Sequence, residues 1–230
     1  MTRPLVLKLG GSLLTAGDRR PRVRTALLDR VARELRGHPP LVLVHGAGSF
    51  GHGPVERGEP AWRIHRSVLD LDRRVCDGLV RAGLAPVPVD PFSAGSAAAL
   101  VRPVRQVLAA GFLPVLYGDV VAGARPGSYT VLSGDRIVSV LAAALGARRV
   151  GMATDVEGIL RGGAPLRVLG RGERVDFFPV EGDVTGAMEG KVGELRGLAR
   201  RGVAAFVFSG RRAGSIRRFL AGKHVGTRIR

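Results

Sequence analysis

The chain has 230 residues, 45% of them apolar and 24% charged, with one cysteine, Cys76. At roughly 150 residues per domain this is one large domain or two very small ones, and the lone cysteine excludes an internal disulfide and a four-cysteine zinc site. The formal charge is +17, but the arginines are scattered in ones and twos and aromatics are only 5%, so no base-stacking nucleic-acid surface is expected, and no apolar run marks a membrane span.

Residues 4–9 (PLVLKL) read as a strand that ends in the tight loop Gly10-Gly11-Ser12. Leu27, Leu28, Val31 and Leu35 share one face of a helix over 24–36, which Pro39-Pro40 stop. Residues 41–44 (LVLV) are a second buried strand, followed by the glycine-rich loop 45–53. Val68, Leu71, Val75 and Leu79 mark a helix over 67–82. Residues 85–89 are extended but broken by proline, and 97–110 form a helical pattern interrupted by Pro103. Residues 112–117 are a strand leading to Gly118-Asp119, and Tyr129–Leu132 a short strand or turn before Ser133-Gly134-Asp135. A helix over 136–145 and a strand over 150–154 follow. Residues 161–183 read as loops with short strands, 187–201 as a helix, 204–208 as a strand, 214–221 as a short helix, and 225–229 as a final edge strand.

Strands and helices alternate, and the strand runs are almost continuously apolar. That pattern specifies a mainly parallel sheet buried on both faces, an αβα sandwich. No stretch is long or polar enough to be a linker, so residues 1–230 are expected to form a single domain, with 53–60 and 161–174 as excursions from it. The opening MTRPLVLKLGG lacks an apolar stretch ending in a cleavage signature, so the expected compartment is the cytoplasm.

Glycines, hydroxyls and acids gather directly after the strands at 4–9, 41–44, 112–117, 150–154 and 204–208. Ligands of an open parallel sheet bind beyond the carboxyl ends of its strands, so these loops are expected to share one edge and one site. Glycines in the first loop allow close backbone approach and offer amides to phosphate oxygens. Only three of the 36 basic residues are lysine, Lys8, Lys191 and Lys223. A position that keeps Lys in so arginine-rich a chain suggests a need for a compact ammonium. Lys8 and Lys191 both sit beside glycines and are candidate phosphate cations. In the second loop His52 is the candidate phosphate ligand or acid/base, whereas His45, at the strand end, also reads as a buried ring bracing the loop. No ligand set for zinc accompanies these histidines, and no metal-ligating side chain is assigned. Asp119, Asp135, Asp155 and Asp183 each read as a cap or turn residue, or as a carboxylate that fixes a lysine, accepts from a ribose hydroxyl or holds Mg²⁺ through water. Glycine cradles with ammoniums and dispersed aspartates suit phosphoryl transfer, which requires cations and amides around the moving oxygens. On chemistry alone three readings stand: a kinase, another nucleotide- or phosphate-binding enzyme, and a non-catalytic binder of nucleotide or nucleic acid.

Taken together, Lys8-Leu9-Gly10-Gly11-Ser12, the loop His45–His52 (HGAGSFGH), Leu113–Asp119, Ser133-Gly134-Asp135, Thr154–Gly158, Asp183–Met188 and Val225-Gly226-Thr227 resemble the amino-acid kinase superfamily. Within it they look most like the isopentenyl phosphate kinases. The related fosfomycin kinases, with a similar glycine loop, are the alternative. The resemblance implies ATP with Mg²⁺ as donor and a small phosphate as acceptor, isopentenyl phosphate going to isopentenyl diphosphate. It implies that Lys8, His52 and Lys191 are catalytic. Lys8, Gly10, Gly11, Ser12, Gly48, Asp155, Gly210 and Arg212 would bind the nucleotide. Ala47, Gly51, His52 and Gly134 would bind the acceptor. It further implies a homodimer, with neither nucleic acid nor membrane as partner. Two positions depart from the family pattern. The lysine usual shortly after Gly-Gly-Ser is missing from Thr15–Arg20, so that either Arg19 or Arg20 replaces it or a phosphate contact is lost, and Arg211 or Arg212 stands for a usual lysine after Gly210. The chain is also shorter than typical relatives, mainly through 158–182.

Overall fold

The computed structural model describes residues 3–17, 20–161, 163–173, 175 and 187–230. In chain order the elements begin with β1 (Leu5–Leu9), a one-turn helix α1 (Gly11–Leu14), the strands β2 (Thr15–Ala16) and β3 (Arg22–Val23), α2 (Thr25–Glu34) and β4 (Leu41–His45). A 3-10 turn at Gly48–Phe50 and α3 (His52–Glu56) lead into α4 (Ala61–Arg81). Next come β5 (Pro86–Pro88), α5 (Pro91–Ala94), α6 (Val101–Ala109), β6 (Leu113–Tyr117), β7 (Asp119–Ala122) and β8 (Tyr129–Leu132). The chain continues through α7 (Gly134–Ala144), β9 (Arg149–Thr154), β10 (Leu160–Arg161), β11 (Ala164–Pro165), β12 (Val168–Leu169), α8 (Ala187–Arg200), β13 (Ala204–Ser209), α9 (Ser215–Leu220) and β14 (Thr227–Ile229).

Eight strands form the main sheet in the order β12-β14-β13-β9-β1-β4-β6-β5. Its one antiparallel pairing among the described residues is β13 with β14. The strands β1, β4, β6, β9 and β13 therefore all point the same way, and the loops that follow them do share one edge. Alternation along β1 decides which layer each side chain enters. Leu5, Leu7 and Leu9 join α1, α2, α4 and α9 on one face. Val6 joins α6, α7 and α8 on the other. Leu41 and Leu43 part from Val42 and Val44 in the same way. Full burial of such a side chain contributes about 1.5–3 kcal/mol, so both faces are committed and a register slip of one residue would exchange the two cores.

The expected αβα sandwich with a mainly parallel sheet is what the chain forms, but several boundaries differ. The helix expected from residue 67 starts at Ala61, because Pro60 initiates it and the exposed first turn carries no apolar stripe to read. The helix expected over 97–110 is α6, with Pro103 in its first turn, where its missing N–H costs nothing. Tyr129–Leu132 pairs back on β7 as an antiparallel hairpin. Residues 225–229 do not form an edge strand: β12 lies outside β14 and pairs with it in parallel. The short β12, with Val168 and Leu169, lies inside the stretch read as loops with short strands, as that reading expects.

Candidate active site

Lys8 lies within β1, and its side chain passes across Gly134 at the start of α7. A Cβ on Gly134 would stand 3.1 Å from Lys8 Cε, so glycine there makes room for the lysine. Ser133 caps α7, its hydroxyl accepting from Arg136 N at 3.2 Å, and this cap aims the next residue but one, Asp135, at the lysine. Asp135 Oδ1 accepts from Lys8 Nζ at 2.7 Å. Its other oxygen, Oδ2, faces Lys191 Nζ at 3.8 Å. One carboxylate thus holds two ammoniums, from β1 and α8, at the edge of the sheet. Both lysines are buried, at 7% and 8% exposure. Burial pulls the Lys8 pKa below its ordinary value; Asp135 opposes that shift through charge and hydrogen bond, and Lys191 reinforces it. Asp135 is absent from the expected binding residues. The Gly134-Asp135 pair after a capping serine was its signal in sequence, with capping and lysine fixing both open.

The two glycine loops are stacked backbone on backbone. A Cβ on Gly11 would lie 2.4 Å from Gly48 N, and one on Gly46 would lie 2.5 Å from Gly11 N. Gly48 has φ +53°, and a Cβ there would meet Thr15 Oγ1 at 2.2 Å. Thr15 Oγ1 donates to Gly11 O at 2.9 Å and accepts from Ser49 N at 3.0 Å, locking the loops together. Gly11 and Gly48 are therefore required by packing, whatever ligand they also meet. Gly10 corrects one expectation. Its N–H donates to Ala153 O at 2.8 Å, so it offers a close backbone surface and not an amide to phosphate. The N–H groups that open α1, of Gly11 and Ser12, lack an intrahelical acceptor.

The other expected residues sort as follows. Ser12 in α1, His52 at the start of α3, and Asp155 and Arg212 on the loops after β9 and β13 are all exposed. Gly210 N–H donates to Thr154 O at 2.7 Å, which joins the loops after β9 and β13. Gly51 is buried beneath Ala47, whose Cβ would stand 2.4 Å from a Cβ on Gly51. Arg20 is exposed, whereas Arg19 and Asp183-Val184-Thr185-Gly186 lie outside the described residues. Trp62, Ile64, Val68 and Leu71 lie along α4. Trp62 is 59% exposed, while the other three belong to the buried interior.

His45 takes the bracing role. It is fully buried, its Nε2 lies 3.1 Å from Asp72 Oδ1, and its Nδ1 lies 3.1 Å from Gly46 O. α4 runs beneath the site edge, with Asp72 meeting His45, Val68 near Gly51, and His65 Nδ1 2.6 Å from Asp119 Oδ2. His65, Asp90 and Asp119 have their ligand atoms within 4.8 Å of one another, spacing a metal ion could bridge. Their hydrogen bonds argue otherwise. Asp90 Oδ1 accepts from Phe92 N at 2.9 Å and Tyr117 Oη at 3.1 Å, and Oδ2 accepts from the Ser93 amide and hydroxyl. Burial raises the Asp119 pKa, against the pull of the His65 hydrogen bond. The group is a satisfied polar cluster, and ligation would first have to break it.

A parallel sheet whose glycine loops stack beside two carboxylate-bridged ammoniums is the equipment of a phosphotransferase. The chain belongs to the amino acid kinase family, whose sequence pattern matches residues 3–209. It is 34% identical to the isopentenyl phosphate kinase of Methanothermobacter thermautotrophicus, over 98% of each chain. It is 37% identical to that of Haloferax volcanii, again over 98% of each. A solved isopentenyl phosphate kinase structure superposes with TM-score 0.83 at 30% identity, covering 98% of this chain and 100% of the other.

Proposed function

We propose that the protein phosphorylates isopentenyl phosphate with ATP, giving isopentenyl diphosphate and ADP, a step of isoprene biosynthesis. An oxygen of the acceptor phosphate attacks the γ-phosphorus, and the bond from that phosphorus to the β,γ-bridging oxygen breaks. The observation that carries the reading is the Lys8–Asp135–Lys191 arrangement beside the stacked loops, in a chain so similar to isopentenyl phosphate kinases along its length. Lys8 and Lys191 neutralise the transferring oxygens. Gly10, Gly11, Ser12 and Gly48 line the nucleotide phosphates, with Asp155, Gly210 and Arg212 further along the nucleotide. Ala47, Gly51, His52 and Gly134 surround the acceptor phosphate.

The carboxylate beside the lysines, Asp135, is engaged by both ammoniums, so the residues here fit a cation carried by the nucleotide rather than one held in a protein cage. Mg²⁺ would then arrive with ATP rather than on a protein carboxylate, and when bound it would supply positive charge against the phosphate oxygens. No side-chain ligand is assigned to it. Among the described residues no helix is long and apolar enough to cross a membrane. The family resemblance supports one catalytic unit over 1–230 acting as a cytoplasmic homodimer.

A coupled ADP-release assay over isopentenyl phosphate, dimethylallyl phosphate and fosfomycin tests the acceptor. Isopentenyl phosphate is expected to have the highest kcat/KM; a preference for fosfomycin would leave the donor reading standing and overturn the isoprenoid one. His52→Ala is expected to lower acceptor kcat/KM at least ~10-fold, since one charged hydrogen bond contributes roughly 1.5–3 kcal/mol. The KM for ATP should stay put. The opposite pattern would exchange the two substrate sites.

A further inference from the structure

Two side chains of α2 grip the loop that follows β13. Arg30 Nη2 donates to Gly210 O at 2.5 Å and to Arg211 O at 3.2 Å, and Nη1 reaches Arg212 O at 3.5 Å. Nη1 also pairs with Glu34 Oε1 at 2.6 Å, one turn along the same helix. Glu34 in turn accepts the N–H groups at the far end of the loop. Gly214 N lies 2.9 Å from Oε1, and Ile216 N and Arg217 N lie 3.1 and 3.3 Å from Oε2. Glu34 is only 6% exposed. A carboxylate is costly to bury unless its oxygens are filled, and here a guanidinium and backbone amides fill them. Glu34 also serves as the cap of α9, whose preceding residue Gly214 has no side chain to do so.

The loop so held begins beside the exit of β9, where Gly210 N–H meets Thr154 O. Its carbonyl dipoles are turned onto a cation, while the side chains of Arg211 and Arg212 remain exposed. A loop arranged this way presents positive charge and little carbonyl charge to a polyanion. We propose that Arg30 and Glu34 are positioning residues for the nucleotide: they hold Gly210–Gly214 in its binding geometry before ATP arrives. The inference rests on the nucleotide-side reading of that loop. A clamp that served stability alone would lower the thermal midpoint and weaken both substrates alike.

Arg30→Ala, Arg30→Lys and Glu34→Gln are the test, with Arg212→Ala as a probe of the loop reading itself. Arg30→Ala and Glu34→Gln are expected to raise the KM for ATP about tenfold, as misplacement of a positioned group does, with the KM for isopentenyl phosphate unchanged. Arg30→Lys keeps the charge but loses the planar fork, so its rise should be intermediate. If the two KM values move together, or only the thermal midpoint falls, the inference is overturned. If Arg212→Ala raises the KM for ATP and the clamp variants do not, the inference falls and the loop reading stands. If none of the four substitutions moves it, both fall. A rise confined to the clamp variants supports the inference through the Gly210 backbone alone. Should Glu34→Gln fail to fold, the Arg30 pair carries the test, since that side chain is partly exposed.

Discussion

Lys8→Ala is expected to lower kcat by 10²-fold or more, about 2.7 kcal/mol of transition-state stabilisation, while the KM values for both substrates change far less. In phosphoryl transfer, charge shifts from the nucleophile through the equatorial oxygens to the leaving group, and little covalent work falls to the protein. A fixed ammonium therefore acts chiefly on the barrier. Lys8 is such a group. It comes from a central strand, its side chain has only the space that Gly134 leaves, and Asp135 holds its Nζ at 2.7 Å. The side chain is already ordered before substrate binds, so its contribution carries little reorganisation cost. The measurement is steady-state kinetics on folded variant, checked by circular dichroism. An unchanged kcat would remove Lys8 from the transfer step. Lys8→Arg is expected to rescue poorly, because a planar fork does not fit the space against Gly134 and cannot keep the single short contact to Asp135.

The parts of this architecture that were legible in sequence are those written in local pattern. The apolar runs of β1, β4, β6, β9 and β13 gave away a sheet buried on both faces, and the polar loops after them gave away its working edge. Asp135 was harder. Its partner Lys8 is distant in sequence, and an acid after Ser133-Gly134 reads equally as a capping residue, which in the structure is the part Ser133 takes. The Arg30–Glu34 clamp was invisible for the same reason: its partners lie 180 residues and more along the chain. On a helical pattern the two charges look like an exposed i,i+4 pair. The outward position of β12 could not be read either. Two apolar residues within a polar, glycine-rich stretch leave no periodicity to detect, and only the pairing with β14 makes them a strand.

The glycines show why a motif can be right for more than one reason. Gly11 and Gly48 were expected to make room for phosphate, yet both, like Gly46, also leave space for the opposing loop's backbone. Packing alone would therefore demand them. It is the lysine pair at the same edge, not the glycines, that gives the stacked loops a chemical direction.

Asp135→Asn should lower kcat on the order of 10²-fold near pH 8, and it should also change the shape of the pH profile. Burial is the main force lowering the Lys8 pKa, Lys191 adds to it, and Asp135 pushes back through both its charge and its hydrogen bond. An asparagine keeps the volume and an acceptor oxygen but removes the charge. The Lys8 pKa must then fall further below the ordinary lysine value. Since the charged form is the one that stabilises transfer, activity is lost as pH rises through that pKa. In the variant this alkaline limb should lie at lower pH than in the parent protein, and part of the lost rate should return on acidification. A kcat profile at saturating substrates, from about pH 6 to 10, reads the groups of the ternary complex. Asp135→Ala should be worse at every pH, because two buried ammoniums then lose the carboxylate they share. A uniform drop with the alkaline limb unmoved would mean that Asp135 only orients Lys8 and does not hold its charge.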